Sequence, residues 1–106
     1  MKRIFTAYSK EASLENSVRA HVVISGRVQG VCYRMETQRA AKGIDVSGWV
    51  KNRFDGTVEA VFEGNRKQVD QIIEWCRKGP ALAQVSNIEI RWESATGEFA
   101  DFDITY

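Results

Sequence analysis

With 106 residues, 43% of them hydrophobic, the chain is long enough to form one domain with its own core, without disulfides or a structural metal. Fifteen basic residues face fourteen acidic ones, interspersed, for a net charge of +1, which excludes the basic stripe of a nucleic-acid binder or of a membrane-surface protein. No apolar run approaches the ~20 residues that cross a bilayer, and no apolar segment follows Lys2 and Arg3 as in a secretory leader, so a cytoplasmic location is expected.

Residues 1–17 are mixed and polar and are expected to be a loosely ordered N-terminal extension, with a weak helix over Ser9–Asn16; residues 18–106 make the domain. A strand is predicted over Arg19–Ser25, with Ala20, Val22 and Ile24 on one face. The stretch Gly26-Arg-Val-Gln-Gly-Val-Cys-Tyr-Arg34 follows and leads into a helix from Tyr33 to about Lys42. Tyr33, Thr37, Ala40, Ala41 and Ile44 recur there at helical spacing, and Gly43 stands where a left-handed cap belongs. A second strand, about Val46–Asn52, runs into Asp55-Gly56, a hairpin signal, and a third, Thr57–Glu63, turns Val58, Ala60 and Phe62 inward. Asn65, with Gln68 three residues on, reads as a capping box for a helix carrying Val69, Ile72, Ile73 and Cys76 on one stripe, and Gly79-Pro80 stops it. A fourth strand covers about Gln84–Glu93, with Ile88, Ile90 and Trp92 on one face, and a short last strand puts Phe102, Ile104 and Tyr106 on one side.

The order is β-α-β-β-α-β plus a final strand. Two helices so placed cover one face of a mostly antiparallel sheet, the ferredoxin-like α/β (α+β) sandwich, and the other face is at least partly wet.

The segment between the first strand and the first helix carries the chemistry. The opening N–H groups of a helix have no internal partner, and the helix dipole adds positive charge at that end. Gly26 and Gly30 permit backbone angles that a Cβ would forbid and let an anion approach the main chain. Arg34 adds a planar fork suited to two oxygens of one phosphate. The segment is neither a Walker loop nor a dinucleotide fingerprint, since it has no Gly-Lys-Ser/Thr and lacks G-x-G-x-x-G spacing. By local physics it is an anion cradle, or else a glycine turn beside a solvated arginine.

The run Gly26-x-Val28-Gln29-Gly30-Val31-x-Tyr33-Arg34 resembles the first signature of the acylphosphatase family. Gly48-Trp-Val-Lys-Asn52, Gly56-Thr-Val58 and Gly64 resemble the second, and the similarity continues through Trp75 and Gly79-Pro80 to Phe102–Tyr106, covering residues 18–106. The resemblance implies a hydrolase of the carboxyl–phosphate bond of acyl phosphates, with no metal and no organic cofactor; a monomer is expected. It further implies that Arg34 holds the phosphate with backbone N–H groups of Val28, Gln29, Gly30, Val31, Cys32 and Tyr33, and that Asn52 positions the attacking water.

Other readings of these residues stand beside it. Asn52 before a hairpin is also a common turn-forming residue. Cys32 lies in an environment that can activate a thiol, but in a cysteine phosphatase the anion loop follows the nucleophile, whereas here the glycines precede it. Oxidation sensitivity is the simpler consequence for Cys32, and Cys76 reads as a small buried hydrophobe. His21, the only histidine, sits mid-strand and reads as a surface or packing residue, and Arg27 as a solvated one. With no carboxylate in either motif, a phosphate oxygen of the substrate is left to take the proton from water. An RNA-binding sheet lacks support, since the aromatic RNP1 octapeptide is missing. A non-catalytic regulatory domain that binds an anion or carbamoyl phosphate is opposed by the presence of both Arg34 and Asn52.

Overall fold

The computed structural model describes residues 16–106. β1 (Ser17–Arg27), α1 (Tyr33–Ile44), β2 (Ser47–Asn52), β3 (Val58–Asn65), α2 (Arg66–Lys78), β4 (Gln84–Ser94) and β5 (Phe102–Ile104) follow one another in the expected order. The helix expected over Ser9–Asn16 lies outside the described residues, apart from Asn16 itself. Among the described residues, no helix is long and apolar enough to cross a membrane.

The strands form one sheet in the order β4-β1-β3-β2-β5. All pairings are antiparallel except β2–β5, where Gly48, Trp49 and Val50 lie beside Phe102, Asp103 and Ile104 in parallel. Alternation decides the faces. Ala20, Val22 and Ile24 of β1, Val58, Ala60 and Phe62 of β3, and Val50 of β2 are fully buried. They meet Tyr33 and Ala41 of α1 and Val69, Ile72, Ile73 and Cys76 of α2 in one core. Phe62 and Phe102 stack in it, with ring centroids 5.5 Å apart. On β4, Ile88 and Ile90 pack against the core, while Trp92 stays part-exposed under the guanidinium of Arg66, 4.0 Å from its ring centroid.

The left-handed cap of α1 is Asp45, not Gly43. Ile44 still packs against the core, so the helix runs through it, and Asp45 takes φ 71° and ψ 44°. The N–H of Asp45 donates to the Lys42 carbonyl at 3.2 Å and that of Val46 to the Ala41 carbonyl at 2.9 Å, a Schellman closure that aspartate tolerates better than most residues.

β4 and β5 occupy opposite edges, so their connection must cross the molecule. Glu63, on the face of β3 away from the helices, holds it. Its carboxylate, 4% exposed, accepts from the N–H groups of Thr96 at 2.9 Å and Gly97 at 3.1 Å, with Arg19 3.6 Å away. The crossing is thereby held to that face, and β5 is delivered beside β2.

The capping box at the start of α2 is complete: Asn65 Oδ1 accepts from the Gln68 N–H at 2.8 Å, and Gln68 Oε1 from the Asn65 N–H at 3.2 Å. Asn65→Ala should therefore cost about 1 kcal/mol and lower Tm by roughly 4–8 °C. Thermal unfolding followed by circular dichroism measures this, and an unchanged Tm would show that the cap is redundant with core packing.

Candidate active site

The loop between β1 and α1 is anchored by what it buries. Val28 and Val31 are 1% and 6% exposed, and both belong to the core. Tyr33, the first residue of α1, is buried against Trp75, and its hydroxyl donates to the Cys76 carbonyl at 2.7 Å. Burial pushes the Tyr33 phenol far above its usual pKa and the Cys76 thiol up to about 12, so both stay neutral across the working pH range.

Between these anchors the backbone turns left-handed twice, at Gly30 (φ 75°) and at Cys32 (φ 63°, ψ 22°), which caps α1. For cysteine this conformation costs about 1 kcal/mol or more. Turns of this kind face successive N–H groups toward one point, and those of Gln29, Gly30, Val31 and Cys32 have no backbone acceptor among the described residues. Gly26 has a different role from the expected one. It lies inside β1 where the register with β4 shifts, its φ is 120°, and a Cβ there would overlap the Gln84 carbonyl. It serves strand packing, and only Gly30 serves the loop.

The loop forms one side of a cleft of about 170 Å³. Gly30, Cys32, Arg34 and Asn52 supply its polar lining, with Val28 and Tyr33 below; Met35, Ile104 and Tyr106 supply the rest. Arg34 is the one charged side chain among these lining residues, which leaves the cleft positive. Its guanidinium lies 5.4 Å from the Tyr106 ring centroid, with no carboxylate of the described residues paired to it. Asn52 closes β2 opposite Val58, and its Oδ1 is buried without a hydrogen-bond partner. A buried amide oxygen left unpaired is costly and rare, and in a cleft it is an acceptor held ready for something that enters.

Six of the eight expected residues thus line one cleft; Val31 and Gln29 do not. Val31 is core, and the Gln29 side chain turns the other way, its Nε2 donating to the carbonyls of Arg53 at 2.8 Å and Thr57 at 2.9 Å. Those carbonyls belong to the hairpin that follows Asn52, so Gln29 ties the loop to the element that places Asn52. That clamp, and the cleft positions of Met35, Ile104 and Tyr106, were not foreseen. The alternation of the last strand put Ile104 and Tyr106 on one side but did not say which strand they join.

A larger cleft, about 450 Å³, opens on the opposite face of the sheet around His21, Arg53, Glu59 and Arg91. Three of its polar side chains are matched to one another: His21 Nε2 is 2.6 Å from Glu59 Oε2, and Arg91 is 3.3 Å from His21 Nδ1. Arg53 pairs with Asp55 at 3.7 Å. These pairs lie on the face of the sheet opposite the helices.

Comparison with known proteins adds an independent finding. The family model described as acylphosphatase matches residues 20–104. The chain is 52% identical over 88 residues to an acylphosphatase of Pelotomaculum thermopropionicum, covering 83% of this chain and 96% of that one. It is 53% identical over 89 residues to one of Chloroflexus aurantiacus, covering 84% and 97%. The solved structure of an acylphosphatase from Coxiella burnetii superposes with a TM-score of 0.83 at 34% identity, covering 88% of this chain and 97% of that one.

Gln29→Ala removes both donors that hold the loop to the hairpin. Affinity for inorganic phosphate should fall roughly ten-fold, the scale of one or two net hydrogen bonds, with the circular dichroism spectrum unchanged. Calorimetric titration checks this, and unaltered affinity would mean that the valine and tyrosine anchors shape the loop alone.

Proposed function

The chain belongs to the acylphosphatase family and is a hydrolase of acyl phosphates, and we propose that the 28–34 loop holds the phosphoryl group while Asn52 aims the attacking water. The observation that carries this reading is the unpartnered, buried Oδ1 of Asn52 in the cleft that Arg34 makes positive. An amide oxygen accepts a hydrogen bond from water and so directs the water's lone pair, but it does not take the proton at neutral pH.

An acyl phosphate departs as a stable carboxylate, so the leaving side needs little help. The transition state is loose, and most of the catalytic work is positioning and charge matching on the phosphoryl oxygens. Arg34 supplies two donors in a fixed fork, and the open N–H groups of the loop supply others, arranged before the substrate arrives. The water oxygen bonds to phosphorus as the phosphorus–oxygen bond to the acyl group breaks. The carboxylate leaves with the electron pair, and the water's proton passes to a phosphoryl oxygen.

The residues around the cleft support the substrate as its own base. Tyr33 is committed to the Cys76 carbonyl, and His21 is bonded to Glu59 on the opposite face. No carboxylate side chain is among the cleft-lining residues. Charge matching by arginine and backbone leaves no step for a metal, and residues 1–17 are assigned no part in the site.

Two variants separate the roles. Arg34→Gln should weaken phosphate binding together with turnover of acetyl phosphate, and Arg34→Lys should not restore either, since a point charge lacks the fork. Asn52→Ala should leave phosphate binding nearly intact while kcat falls ~100-fold or more. Calorimetry beside steady-state kinetics reads both, and equal losses of binding would mean that Asn52 shapes the cradle and does not aim water. Hydrolysis should also survive removal of residues 1–16 and dialysis against a chelator. Loss in the truncated but folded chain would bring the extension into the site, and loss restored by magnesium would overturn the metal-free mechanism.

A further inference from the structure

We propose that the outer edge of β4 is a docking surface for a second copy of this chain, the two β4 strands pairing antiparallel about a two-fold axis at Ile90. Such pairing makes a weak dimer in place of the expected monomer, and it does not depend on the reading of the cleft.

β4 forms the edge of the sheet beyond β1 and runs for 11 residues. The N–H and C=O groups of a strand edge pair with another strand unless something blocks them, and natural edges are kept short or carry proline, lysine or a bulge. The one proline of the chain, Pro80, lies outside β4, and the strand contains no lysine. The register shift opposite Ser25 and Gly26 sets Ser86 apart, so Asn87–Ser94 is the straight part of the edge. Its residues make no backbone hydrogen bond outside the sheet among the described residues.

Geometry and charge then select one register. Side-chain faces and outward N–H and C=O groups both alternate residue by residue, so two antiparallel β4 strands join into one sheet only about an axis that passes through a residue. On the face away from the helices β4 presents Glu89 and Arg91, with Asn87 and Glu93 beyond them in the same alternation. An axis at Ile90 sets Glu89 opposite Arg91 of the second copy, Arg91 opposite its Glu89, and Asn87 opposite its Glu93. An axis at Glu89 or Arg91 would stack like charges, which is unfavourable directly across a strand pair. An axis at Ile88 runs into the bulge at Ser86, and one at Trp92 overlaps only residues 90–94.

The single chain leaves the groups this register needs. Glu59, Glu63 and Glu93 on the same face each have a cation within ion-pair distance, whereas Glu89 has no partner among the described residues. On the helix face Trp92 is 40% exposed beyond its stack on Arg66, and the same axis puts it opposite Ile88 of the second copy, an aromatic–aliphatic pair. A contact of this length is small, so Kd should be roughly 10–100 µM. The small cleft takes no residue from β4, so each copy keeps its own site.

Sedimentation velocity of the full chain from ~5 to ~500 µM tests the proposal, with acetyl phosphate hydrolysis as the check on folding. The wild type should pass from monomer to dimer over that range. Glu89→Arg and Arg91→Glu each set like charges across the axis, and each should raise Kd roughly ten-fold or more with hydrolysis unchanged. Mixed in equal amounts, the two variants should form a heterodimer, because the arginines of one then face the carboxylates of the other. The double variant Glu89→Arg/Arg91→Glu should regain the wild-type Kd. A wild type that stays monomeric at the highest concentration would overturn the proposal. So would single variants that associate as the wild type does, or a mixture and a double variant that show no recovery.

Discussion

A loop that keeps its N–H groups free for a ligand cannot hold itself in shape with them, and this constraint governs the rest of the molecule. The N–H groups from Gln29 to Cys32 donate no backbone hydrogen bond among the described residues, and Cys32 is held in a left-handed conformation. Its order must come from side chains. Val28 and Val31 provide part of it, since burying an aliphatic side chain stabilises by about 1.5–3 kcal/mol. Tyr33 provides a directional bond to the last turn of α2, and Gln29 provides two to the β2–β3 hairpin. These groups point away from the cleft or under it, so the ligand face of the loop stays open.

The sheet order does the second part of the work. Placing β3 between β1 and β2 keeps the loop at the end of β1 near the end of β2, where Asn52 stands. Sending β5 to the far edge in parallel with β2 brings Ile104 and Tyr106 to the same place. That arrangement depends on a long crossing from one sheet edge to the other, which Glu63 holds through its carboxylate. The lining of the cleft thus comes from three separate stretches of chain.

Much of this was legible in the sequence because it depends on local pattern. Strand alternation identified Ala20, Val22, Ile24, Val58, Ala60 and Phe62 as core, and the Asn65–Gln68 pair marked the start of α2 before any coordinates. What was misread or missed depends on tertiary contacts. Gly43 looked like a cap because the packing of Ile44, which prolongs α1 to Asp45, cannot be seen in one helix's spacing. Gly26 looked like part of the cradle because its near overlap with the Gln84 carbonyl is a contact with a strand far along the chain. The Gln29 clamp and the Tyr106 wall likewise join residues that only the sheet order brings together.

The central claim is that phosphate takes the cleft beside the 28–34 loop and not the larger one on the opposite face of the sheet. A titration of the ¹⁵N-labelled chain with inorganic phosphate, followed by amide chemical shifts, tests this most directly. The largest changes should fall on the backbone amides from Gln29 to Arg34 and on the side-chain amide of Asn52, with little at the opposite face of the sheet. Shifts centred on His21, Glu59 and Arg91, with the 28–34 loop unmoved, would contradict the account.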